Sequence, residues 1–134
     1  MPILWSDDLS VNVKEIDDQH WTFLGILNGL YDVLRQPERE IELTGLVHQL
    51  ESYAAFHFAT EERYFDKFDY PWADEHKEEH RELLTKILKL KNRYESEGEA
   101  ILPELLDFLE NWLTDHLATQ DKKYTKCLND HGLF

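Results

Sequence analysis

Apolar residues recur at three-and-four spacing in four successive stripes of this 134-residue chain, a period that fits α-helices and offers no alternation for strands. The first stripe is Ile16, Phe23, Leu24, Leu27, Leu30, Tyr31 and Leu34, with Asp17 or Asp18 as its start signal and Pro37 as its stop. The second, Leu43, Leu46, Leu50, Tyr53, Ala54, Phe65 and Phe68, predicts a helix from Glu40 to Lys67. It ends at DYPWAD, where Pro71 interrupts and Asp74 is placed to cap the next start. Leu83, Leu84, Ile87, Leu90 and Tyr94 form the third stripe, closed by Gly98 in ESEGE. Leu102, Leu105, Leu106, Leu109, Trp112 and Leu113 form the fourth, where Pro103 is tolerable because it sits in the first turn.

Four long helices with short connections make chain neighbours antiparallel, so the expected fold is all-α, an up-down-up-down antiparallel four-helix bundle. Residues 1–15 are expected to form an irregular N-terminal arm with Trp5 as its anchor, and a short helical segment is expected at the C-terminus. The length suits one domain, residues 1–134, with a core that needs no disulfide. The 28 acidic residues outnumber 14 Lys and Arg, and the net charge of -14 repels nucleic acid and anionic headgroups, so neither nucleic acid nor membrane is expected as a partner. Cys127 is the only cysteine, which permits no intrachain disulfide and suits a reducing compartment. The start, MPILWSDDLS, lacks a basic segment, and no run approaches the roughly 18 apolar residues needed to cross a bilayer. A soluble, cytoplasmic protein is the expectation.

Extending each stripe by whole turns reveals polar residues on faces that should be buried. His20 lies four after Ile16 and four before Leu24; His57 and Glu61 follow Tyr53 in steps of four; His76 and His80 lead into Leu84; His116 comes three after Leu113. A step of four advances about 400° around a helix and about 6 Å along it, so His57 with Glu61, and His76 with His80, each aim at one place. An ionised Glu buried without a partner is costly, and a metal removes that cost. In antiparallel order, the start of the first and third helices and the end of the second and fourth share one end of the bundle. All these residues cluster there. The pair in HKEEH is not the zinc-protease motif, because Lys77 stands where that motif needs a Glu. His48 and His131 fall off the stripes and read as surface, as do Glu78, Glu79 and Glu82.

Asp121 follows His116 by five residues, about 140° off its face in a straight helix. Either it is unrelated, or the helix bends or bulges in between, which the loss of tight apolar pattern between Leu117 and Gln120 permits. Imidazole and carboxylate without thiolate suit iron, manganese or zinc, so ligand type alone does not choose the metal. Carboxylate-rich ferritin-like sites use Glu-x-x-His pairs, and no histidine here has Glu three residues before it.

The segments DDQH (17–20), HFATEE (57–62), HKEEH (76–80) and HLATQDKKY (116–124) together resemble the hemerythrin family, above all its single-domain bacterial branch. The resemblance spans nearly the whole chain, from the Trp5 region to YTKCL. That family is itself a known example of the up-down-up-down bundle. The resemblance implies two non-haem iron ions, Fe2+ or Fe3+, with an oxo or hydroxo bridge. His76, His80 and His116 would ligate one iron; His20 and His57 would ligate the other and leave a position open; Glu61 and Asp121 would bridge. Trp112 and Leu113 resemble residues that line the family's oxygen pocket. The implied function is reversible O2 binding for transport, storage or delivery by a non-enzymatic monomer, with an O2-consuming protein as recipient. Alternatives on the same site are an enzyme handling peroxide or nitric oxide, and an O2 or redox sensor.

Overall fold

The computed structural model describes residues 5–113, 115–116 and 121–134. Its long helices are α1 (Lys14–Arg35), α2 (Leu43–Lys67), α3 (Ala73–Glu97) and α4 (Leu102–Trp112), followed by a short α5 (Thr125–Asp130). No strand occurs among the described residues, in keeping with the all-α reading. α1 packs against α2 and α4, and α2 against α3. Leu27, Leu30, Leu50, Leu90, Leu105 and Leu109, all drawn from the predicted stripes, are fully buried in the bundle body. At Gly29 a side chain would come within 3.0 Å of Leu46, so the missing Cβ lets α1 approach α2.

Helix ends depart from the sequence reading where tertiary contacts outrank capping rules. α1 begins at Lys14, ahead of Asp17, and the apolar Val13 holds the cap position because it is buried. The Asp17 carboxylate turns back to the arm, accepting from the Val11 N–H at 2.8 Å and the Ser10 hydroxyl at 2.6 Å. Pro37 does stop α1, but it opens a 3-10 turn through Glu42, so α2 starts at Leu43 and not Glu40. Asp74 makes no cap bond; Trp72 precedes α3, and Asp74 and Glu75 contribute only negative charge to its first turn. Gly98 ends α3 at φ 65°, a left-handed conformation that favours glycine.

A second apolar cluster closes one end of the bundle: Val11 and Val13 from the arm, Ile16, Phe65, Tyr70, Tyr124 and Leu128. The Thr125 hydroxyl donates to the Val11 carbonyl at 2.8 Å, and the Asn129 amide donates to that of Asn12 at 3.2 Å, tying α5 to the arm. Trp5 is partly buried against the main core, while Val11 and Val13 are the deeper anchors. The space between the two clusters holds the site.

Candidate metal centre

His20, His57, Glu61, His76, His80, His116 and Asp121 come together at the end where α1 and α3 begin and α2 ends, and each is at most 5% exposed. Four-residue spacing does what the helix geometry requires. His57 Nε2 lies 2.9 Å from Glu61 Oε1, and the His76 and His80 rings meet edge to face with centroids 4.6 Å apart. After Trp112 the α-helix widens into a π turn at residues 113 and 115–116, and Asp121 opens a 3-10 turn. The helix therefore does distort, and Asp121 Oδ1 reaches 2.9 Å from His116 Nε2. The pattern loss between Leu117 and Gln120 lies outside the described residues.

Two groups of facing ligand atoms result: His76, His80, His116 and Asp121 in one, and His20, His57, Glu61 and Asp121 in the other. Within each, the atoms lie inside 4.8 Å of one another. Asp121 belongs to both; its Oδ1 is 3.0 Å from His76 Nε2 and its Oδ2 is 3.3 Å from His20 Nε2. Glu61 also faces both, with Oε1 at 3.4 Å from His80 Nε2 and Oε2 at 3.9 Å from His76 Nε2. Nε2 of His20 and Nε2 of His57 lie within hydrogen-bond distance of each other, at 3.0 Å, but most of the other inward atoms converge without bonding. Both oxygens of Glu61 and of Asp121, and Nε2 of His76, His80 and His116, lack an aligned hydrogen-bond partner although buried. Buried polar atoms aimed at one another and left unsatisfied are what a metal site looks like without its ions, so the donor set fits metal.

Charge inside the cluster is strongly shared. Burial raises the carboxyl pKa of Glu61 and of Asp121, and the Asp121 charge raises that of Glu61 further, yet the surrounding histidines outweigh this and hold both below the usual carboxylate range. Burial disfavours charge on His80, but the Glu61 and Glu62 carboxylates beside it prevail and push it up to about 9. His116 is likewise raised, by Asp121 against its burial, whereas burial wins at His57 and lowers it.

Outside the ligand atoms lies a layer that the sequence reading missed. Glu62 Oε2 sits 2.9 Å from His80 Nδ1, and Glu79 Oε2 sits 3.0 Å from His116 Nδ1, so Glu79 is not the purely solvated residue expected. Gln19 is buried and presents Oε1 to His57 Nδ1 at 2.7 Å, while its amide donates to Thr60 at 3.1 Å. Trp112 and Leu113 are buried in the main core; the Trp112 ring stacks on His116 with centroids 5.6 Å apart and meets Phe23 at 4.9 Å. A cleft of about 570 Å³ between α3 and α4 reaches Trp112, Glu79 and His116. Lys77 pairs with Asp66 on the outside, His48 is exposed, and His131, also exposed, stacks on Phe68.

A helical bundle with buried histidines and carboxylates spaced to hold metal ions defines a class of non-haem metal-binding proteins. Residues 11–128 match the family described as Hemerythrin HHE cation binding domain, and the chain belongs to the hemerythrin family. A bacteriohemerythrin of Stenotrophomonas maltophilia is 28% identical over 129 residues, covering 96% of this chain and 83% of that protein. A myohemerythrin of Sipunculus nudus is 28% identical over 123 residues, covering 92% and 91%. The crystal structure of wild-type hemerythrin superposes with a TM-score of 0.87 at 27% identity, covering 96% of this chain and 98% of that one. No helix among the described residues is long and apolar enough to cross a membrane.

Proposed function

We propose that this chain, acting as one domain over residues 1–134, binds O2 reversibly at a non-haem di-iron centre and serves as an oxygen carrier or store, not as a catalyst. The observation that supports it most directly is the double ligand group sharing Asp121, in which the oxygens of Glu61 and Asp121 and Nε2 of His76, His80 and His116 are buried with no aligned hydrogen-bond partner. His76, His80 and His116 would hold one iron, His20 and His57 would hold the other, and Glu61 and Asp121 would serve both. Membership of the hemerythrin family, and likeness to bacteriohemerythrin and myohemerythrin, favour iron over the other metals that such donors accept. Two ferrous ions, when bound, supply the electrons that O2 binding requires.

The protein's own part is position, charge and dryness. Five neutral imidazoles with two carboxylates leave the metals more positive than a carboxylate-rich shell does, and two histidines where the other side has three leave room for a ligand. Phe58 lies beside the His57 ring, and Phe23 and Phe58 both meet Trp112, so apolar rings stand next to that side. Trp112 and Leu113 would form part of that wall. Iron analysis tests the assignment: the full chain should hold two irons, and His80→Ala should lose most of its affinity for one of them. Unchanged iron content in His80→Ala would refute the ligand set.

A further inference from the structure

On the two-metal reading above, we infer that Glu62 and Glu79 are positioning residues that make the His76/His80/His116 position the tighter of the two. The outer faces of the two halves differ in kind. Behind the three-histidine half stand two carboxylates: Glu62 makes an aligned hydrogen bond to His80 Nδ1 at 2.9 Å, and Glu79 Oε2, not aligned for a hydrogen bond, makes a charge contact to His116 Nδ1 at 3.0 Å. Behind the other half stands a neutral amide, Gln19, on His57 Nδ1 at 2.7 Å, while His20 Nδ1 is buried with no hydrogen-bond partner. An imidazole whose outer N–H faces a carboxylate is a stronger donor at its inner nitrogen than one facing an amide. Two carboxylate-backed imidazoles therefore serve one metal and none serves the other.

Charge, and not merely ring placement, is the distinguishing feature. His80 is already stacked on Phe58 at 4.1 Å and 11°, and His116 on Trp112 at 5.6 Å and 14°, so both rings keep their orientation if the carboxylates become amides. The Glu62 and Glu79 side chains are 32% and 37% exposed, so substituting them leaves the core closed. The first metal equivalent should enter the three-histidine position, and the metal at His20 and His57 should be the first removed by a chelator.

Titration of the metal-free full-length chain with Co2+, followed by its visible absorption and by calorimetry, reads both positions without any oxygen chemistry. Two steps are expected. Glu62→Gln and Glu79→Gln should each weaken the first step by about 10- to 100-fold and leave the second in place. Gln19→Glu should tighten the second step alone, a gain that a purely structural role does not produce. Two equal steps in the unmodified chain, or an unchanged first step in both Gln variants, would overturn the inference while leaving the two-metal reading intact. Binding of fewer than two Co2+ per chain would instead count against that reading and the inference with it.

Discussion

His80 stands between two carboxylates, Glu61 at 3.4 Å from Nε2 and Glu62 at 2.9 Å from Nδ1, and this makes the metal-free protein sensitive to pH. Its folded pKa, about 9, lies above the ordinary value of 6.5, so the stability it contributes is complete below pH 6.5 and is lost as pH rises through about 9. His116 is shifted in the same direction. Urea unfolding of the metal-free chain should thus show stability falling by up to a few kcal/mol from neutral pH to about 9.5. The iron-loaded chain, its imidazoles neutral and occupied, should lack that decline; identical pH profiles would mean that these histidines are not the ligands. Such residues were legible because a polar side chain on an apolar stripe breaks the pattern, as His20 does between Ile16 and Leu24. Glu62, Glu79 and Gln19 break no pattern. Their importance depends on what faces them from the next helix, which spacing along one helix does not reveal.

The arm and α5 act together as a lid over the site's end, fastened at Asp17. That carboxylate accepts from Ser10 and Val11, and Val11 in turn accepts from Thr125. Asp17→Ala should destabilise the fold by about 1–2 kcal/mol and quicken iron release to a chelator, both measurable by thermal unfolding and by release kinetics. A stability loss with unaltered release would separate the lid from the site. In the bundle body, Leu109→Ala removes a fully buried side chain and should cost about 2–5 kcal/mol, read as a lower urea midpoint. Existence and order of the four helices were readable because apolar period is a property of each helix alone. Their ends were less so: Val13 takes the α1 cap because burial outweighs its poor capping, and the turn after Pro37 takes residues assigned to α2. The π turn at residues 113 and 115–116 was foreseeable only as one of two alternatives, since Asp121 sits off phase from His116 in a regular helix.

For the molecule as a whole, the site lies between two apolar clusters, the bundle body on one side and the Val11, Phe65, Tyr124 and Leu128 cluster on the other. Burying two carboxylates and five histidines there weakens the fold unless something pairs with them, so iron and stability should be linked. Removing iron should lower the melting temperature, and restoring it should return the original value. Antiparallel order was enough to bring the five histidines and Glu61 to one end from sequence, because it fixes which helix ends are neighbours, whereas Asp121 joined them only through the family resemblance. The cleft was not legible, since it depends on how closely α3 and α4 approach. Reversible oxygen binding by the molecule is read from the visible spectrum of the anaerobically iron-loaded chain through repeated exposure to O2 and deoxygenation. The same oxygenated spectrum should return over many cycles with little loss; immediate and permanent oxidation on first exposure would contradict it.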